Sequence, residues 1–121
     1  MPIAQFAYTA IDCADARGLA QFYSDVSGLK IQDGGSDDWV MLVAETGAGI
    51  AFQQIDDYVA PTWPGGEHPQ QMHIDFEVGD LDAAEQQVLA LGAIKHELQP
   101  APDSFRVYLD PAGHPFCLIN E

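Results

Sequence analysis

The chain has 121 residues, 47% of them hydrophobic and 19% charged, which is enough apolar material to bury a core and excludes a disordered segment. Four Lys and Arg against 19 Asp and Glu leave a formal charge of −15. Such a chain would be repelled by nucleic acid and by an anionic membrane surface, so neither is expected as a partner.

The first residues, Met1-Pro2-Ile3-Ala4-Gln5, offer neither a basic nor an apolar region, and no signal peptide is expected. A strand is predicted over residues 5–11. Beyond it, Leu19, Phe22, Tyr23 and Val26 recur at the i, i+3, i+4, i+7 spacing of an amphipathic helix. Asp15 is placed as its N-cap, where a carboxylate accepts backbone N–H bonds at the positive end of the helix dipole. Gly28 closes it. Short strands are expected over 29–32 and 39–44, with Trp39 in the core, and the Gly34-Gly35 and Gly47…Gly49 pairs read as hairpin turns. A further strand spans 48–55, and a polar stretch rich in Pro and Gly follows over 56–71.

Met72, Ile74, Phe76 and Val78 then alternate with His73, Asp75 and Glu77, the pattern of a strand with one apolar and one polar face. Asp80 caps a second helix carrying Leu81, Ala84, Val88 and Leu91, which ends at Gly92. Strands are predicted over 94–98 and 105–110. In the Asp110-Pro111-Ala112-Gly113 turn, Asp110 bonds amides ahead of it, Pro111 sets φ and Gly113 permits a positive φ.

These elements repeat. Tyr8 precedes Asp15 by seven residues, as His73 precedes Asp80, and residues 48–55 match residues 112–119 at four of eight positions. The offsets, 65 and 64, agree to one residue. The chain therefore reads as α+β: two tandem βαβββ units within one domain, with module one over 1–55, a linker over 56–71 and module two over 72–121. Each helix must cover the apolar side of its sheet. The other faces are left to line a concave space between the sheets, a natural small-molecule cleft.

Three motifs, Asp15…Phe22-Tyr23…Gly28-Leu29, the run from His73 to Ala84, and Asp110 to Phe116, resemble the vicinal oxygen chelate superfamily of glyoxalase I, bleomycin-resistance proteins and extradiol dioxygenases. The chain is most similar to the small glyoxalase-like proteins of bacteria. The resemblance implies an open, cleft-bearing β-barrel of paired modules, commonly dimeric. It also implies metal ligands on the first and fourth strands of each module. By position these fall at Tyr8, Gln53, His73 and Cys117, where the family usually has His or Gln, Glu, His and Glu. Only His73 matches well. Without the two Glu, the set lacks the carboxylates that compensate a divalent ion, so no native metal is expected. A variant divalent site would draw on His73, Gln53 and Cys117.

His73 is the main catalytic candidate, as an acid–base or a metal ligand, against the reading of a half-buried strand histidine. Tyr8 and Gln53 are candidate hydrogen-bonding residues of the cleft. Trp63 either covers its mouth or anchors the linker, and Arg106 either binds an anionic group or neutralises surface carboxylates. Cys117 pairs with His73 as a nucleophile or is a small buried strand residue, the reading preferred here. Asp75 shares the face of His73, but an i, i+2 contact along a strand is longer than a hydrogen bond. Glu77 reads as solvated, His114 as a turn residue and Cys13 as structural. No dinucleotide, P-loop, nucleophile-elbow or HExxH signature is present. The two cysteines lie outside any CxxC spacing and point to a reduced, cytoplasmic setting. The expectation is a homodimeric protein that binds a small molecule in the inter-sheet cleft. Its alternative is a lyase, isomerase or dioxygenase using His73.

Overall fold

Two passes of strand, helix and three strands make up the computed structural model, which describes residues 2, 3 and 5–120. The first comprises β1 (Tyr8–Cys13), α1 (Ala16–Ser27), β2 (Lys30–Ile31), β3 (Trp39–Val43) and β4 (Gly49–Gln54). The second comprises β5 (Ile74–Glu77), α2 (Leu81–Ala90), β6 (Ile94–Lys95), β7 (Phe105–Leu109) and β8 (Pro115–Ile119). Their sheets have the orders β1-β4-β3-β2 and β5-β8-β7-β6. In each, the first strand runs parallel to the fourth and the remaining pairs are antiparallel. The predicted α+β tandem is the fold.

Both helices start where the sequence places them. The Asp15 carboxylate accepts from the Gly18 N–H at 3.0 Å, and Asp80 accepts from the Ala83 N–H at 3.2 Å. Gly28 turns to φ 78° after α1, and its N–H donates to the Ser24 carbonyl at 2.8 Å. Leu19, Ala20, Phe22 and Tyr23 bury the inner face of α1, and Tyr23 stacks on Phe52 at 5.7 Å. In the second unit, Leu81 and Val88 of α2 are buried, as are Tyr108, Phe116 and Leu118 of the sheet. No helix among the described residues is long and apolar enough to cross a membrane.

Pairing moves several boundaries. The first strand begins at Tyr8, not Gln5, and runs on to Cys13, because its ladder partner spans Gly49 to Gln54. β5 keeps only four residues opposite Phe116–Ile119, which leaves His73 just before the strand. β6 stops at Lys95 because the Gln99 side chain takes over the edge of β7. Its amide donates to the Val107 carbonyl at 2.8 Å and accepts from the Val107 N–H at 2.9 Å. Trp39 is not a core residue. It is half-buried on the sheet face turned from α1, in register with Gln53 and edge-on to Tyr8 at 5.9 Å.

The chain divides into compact units Met1–Tyr58 and Val59–Glu121, so most of the 56–71 stretch belongs with the second. Its loop closes on itself through the Thr62 N–H to the His68 carbonyl at 2.7 Å and the Gln70 N–H to Thr62 at 2.9 Å.

Candidate functional site

The second sheet has two chemically different faces, set by strand alternation. Arg106 and Tyr108 of β7 and Phe116 and Leu118 of β8 share the α2 side, while Asp75, Val107 and Cys117 form one row on the other. The register fixes that row, pairing Asp75 with Cys117 and Cys117 with Val107. The β7–β8 turn holds it in place. Asp110, only 2% exposed, accepts from the Ala112 and His114 N–H groups at 2.8 and 3.0 Å, and Gly113 adopts φ 87°.

On this face lies a cavity of about 300 Å³, lined by residues of the second unit. Trp63, Phe105, Val107, Pro115 and Ile119 make it largely apolar, and Gln70, His73, Asp75 and Cys117 provide its polar groups. His73 Nε2 lies 3.3 Å from Asp75 Oδ1, with both side chains roughly half exposed at 41% and 47%. The contact thought too long for two residues on one strand therefore forms. His73 precedes the ladder, so its ring is not held in strand alternation and reaches the carboxylate. The ligand atoms of His73, Asp75 and Cys117 all lie within 4.8 Å of one another.

Burial pushes the Cys117 thiol up to about 11, and the charge of Asp75 and a hydrogen bond to it act in the same direction. The group is a thiol, not a thiolate, at neutral pH. This is the buried-residue reading of Cys117, and it leaves the nucleophile without support. Cys13 is likewise a buried thiol, donating to the Gln53 carbonyl at 3.6 Å.

Arg106 lies elsewhere. Its guanidinium meets Asp82 at 2.9 Å and Glu85 at 3.4 Å, its Nε–H donates to the Pro102 carbonyl at 2.9 Å, and its side chain is 13% exposed. The carboxylates of α2 hold it on the helix side of the sheet, facing away from the cavity, so of its two readings the structure has the neutralising one and not the ligand anchor. Tyr8 and Gln53 belong to the first unit, exposed on the sheet face turned from α1. Trp63 does line the cavity, whereas His114 and Glu77 do not. Phe105, Val107, Pro115 and Ile119 were not singled out in the sequence. Both faces of β7 and β8 carry apolar residues, so alternation alone does not tell which face is open.

The model of the glyoxalase-like domain matches residues 8–119, nearly the whole chain. The protein belongs to that family. Solved structures share the fold at low identity. A glyoxalase/bleomycin resistance protein/dioxygenase family enzyme from Burkholderia phytofirmans PsJN is 18% identical, with a TM-score of 0.72 over 97% of this chain and 98% of that one. A lactoylglutathione lyase from Agrobacterium tumefaciens is 20% identical, with a TM-score of 0.63 over 98% and 94%. A fosfomycin resistance protein from Mesorhizobium loti is 16% identical, with a TM-score of 0.68 over 98% and 92%. Comparison with curated proteins gives no match. The glyoxalase-like family thus spans both units, and similar folds serve proteins of different named activities.

Proposed function

We propose that this glyoxalase-like protein binds a small molecule in the cavity of its second module, without the usual metal set of the superfamily. The observation that carries this reading is the pairing of His73 and Asp75 at 3.3 Å at the polar part of an otherwise apolar cavity. Trp63 and Phe105 supply flat apolar surface, and among the described residues Asp75 is the one carboxylate in the lining, with no Lys or Arg beside it. With a formal charge of −15 on the chain, this favours a neutral or cationic occupant over an anion. The family match across both units supports one domain, and exposed Val59, Met72 and Ile94 support an apolar homodimer interface; a cytoplasmic setting completes the reading.

The test is calorimetry with matched benzamidine, benzamide and benzoate. Benzamidine is expected to bind about tenfold more tightly than benzoate, because a hydrogen bond to a charged group contributes about 1.5–3 kcal/mol. Ile119→Trp, which fills part of the cavity from a half-buried position, is expected to abolish the heat. Binding unchanged in Ile119→Trp would place the ligand elsewhere and sink the proposal.

A second reading has the convergence of His73, Asp75 and Cys117 in its favour. In it the protein is an enzyme of the superfamily's lyase, isomerase or dioxygenase type. An imidazole that donates Nε2–H to Asp75 keeps Nδ1 as a proton acceptor, the arrangement of a general base. The same three groups offer nitrogen, carboxylate and sulfur donors suited to zinc, and Asp75 supplies the anion missing from the set expected by resemblance. They would hold such an ion, which would supply Lewis-acid polarisation of a substrate oxygen. Elemental analysis after zinc loading and dialysis tests the metal form of this second reading. The proposed binding protein retains almost no zinc. About one zinc per chain, lost in both His73→Ala and Asp75→Ala, would establish the metal site and favour the second reading.

A further inference from the structure

We infer that His96 is a positioning residue for the cavity, its neutral imidazole clamping the Trp63 wall to the sheet and its protonated form releasing it. His96 Nε2 lies 3.1 Å from the Trp63 carbonyl oxygen, and the two rings meet edge to face with centroids 4.8 Å apart. On the other side of the ring, the Leu98 N–H donates to Nδ1 at 3.0 Å. A carbonyl only accepts and an amide N–H only donates, so Nε2 carries the hydrogen and Nδ1 is bare. One neutral tautomer satisfies both partners. The imidazolium does not, because its Nδ1–H would face the Leu98 N–H, donor against donor.

The backbone of His96 is held independently of its ring. Its N–H donates to the Val107 carbonyl at 3.0 Å, and its carbonyl accepts from the Gln99 amide at 2.8 Å. Val107 and Trp63 both line the cavity, so His96 joins two of its walls. When the ring turns to relieve the Leu98 clash, it takes the Nε2–H bond and the ring contact away from Trp63.

The charged and titratable groups on the packed elements are mostly engaged or exposed. Lys95 is bound by Glu85 at 3.0 Å, and Arg106 by Asp82 and Glu85. Tyr108 donates to Glu85 at 2.8 Å. Glu97 is exposed, as are Glu67 and His68 on the loop. The effect on a bound molecule rests on the small-molecule reading above, whereas the movement of Trp63 does not.

Trp39→Phe leaves Trp63 as the sole tryptophan of the two in the chain. Acrylamide quenching of Trp63 in that background is expected to rise about twofold from pH 8 to pH 5. Adding His96→Ala should give the high value at both pH values. Adding His96→Gln, whose amide donates without titrating, should give a low value at both. A low, pH 8-like value in the His96→Ala variant, or a pH step that survives it, overturns the inference. Nitrogen NMR of the unsubstituted protein, with His96 assigned by its loss in His96→Gln, should show the Nε2–H tautomer at pH 8. An Nδ1–H tautomer overturns the clamp without any variant having to fold. A Trp63 transition without benzamidine binding at either pH would leave the clamp standing and count against the binding reading alone.

Discussion

Phe116→Ala is expected to destabilise the protein by about 4 kcal/mol, the usual range for a buried Phe being about 3–5 kcal/mol. Phe116 is fully buried, stacks on Tyr108 at 5.6 Å and meets the edge of Phe76 at 6.2 Å. It lies at the centre of its sheet, in register with Ile74 on one side and Tyr108 on the other. Truncation removes apolar burial and leaves a void that the flanking strands, held by their ladders, fill only in part. Its chain neighbours Pro115 and Cys117 face the cavity, so the same loss reaches the candidate site. Urea denaturation would show a lower midpoint at unchanged slope. Phe116→Leu should cost about 1.5 kcal/mol or less, because it keeps most of the volume. A loss below about 1 kcal/mol for Phe116→Ala would mean that this ring does not organise the second module.

Glu85→Ala is expected to cost about 3 kcal/mol at pH 7, since it breaks a largely buried network and takes the shared acceptor from Tyr108, Lys95 and Arg106, of which Arg106 keeps Asp82. The Glu85 carboxylate accepts from the Tyr108 hydroxyl at 2.8 Å, meets Lys95 at 3.0 Å and meets Arg106 at 3.4 Å. Burial pushes its carboxyl up, but the hydrogen bonds from Lys95 and Tyr108 and the charges of Lys95 and Arg106 together hold it below the ordinary 4.5. A carboxyl lowered by folding adds stability that is fully present above its unfolded value and is lost as pH falls through the folded one. The difference between parent and Glu85→Ala should therefore be constant from neutral pH down to about 5 and shrink below 4.5. Denaturation series at pH 7 and pH 3 measure it. A difference that does not shrink in acid would show that the ionised form of Glu85 is not what holds α2 to the sheet.

Arg106 shows how a residue can be legible in type while its place stays open between two readings. A scarce Arg on a strand in an acidic chain suggests an anion site, and it does bind anions, namely Asp82 and Glu85 of the covering helix. Strand parity decides the matter, because Arg106 and Val107 point to opposite faces. Asp75 is the converse case. Its role as partner of His73 was discounted on regular strand geometry, and β5 begins one residue after His73. Trp63 was legible as a binding aromatic, but His96, which holds it, carried no signal in the sequence. A histidine at the end of a two-residue strand looks unremarkable until a loop 33 residues away meets it.

Caps, helical stripes, the Asp110 turn and the tandem order of elements were all readable from the chain. Each depends on contacts between residues a few positions apart, or on a period that repeats within one element. With the family motifs, these were enough to settle the fold. Strand limits, the open face of the sheet and the grouping of His73, Asp75 and Cys117 were decided only by long-range pairing. A strand ends where its partner ends, and register chooses which side chains share a face. Those are properties of two segments brought together, and neither segment carries them alone.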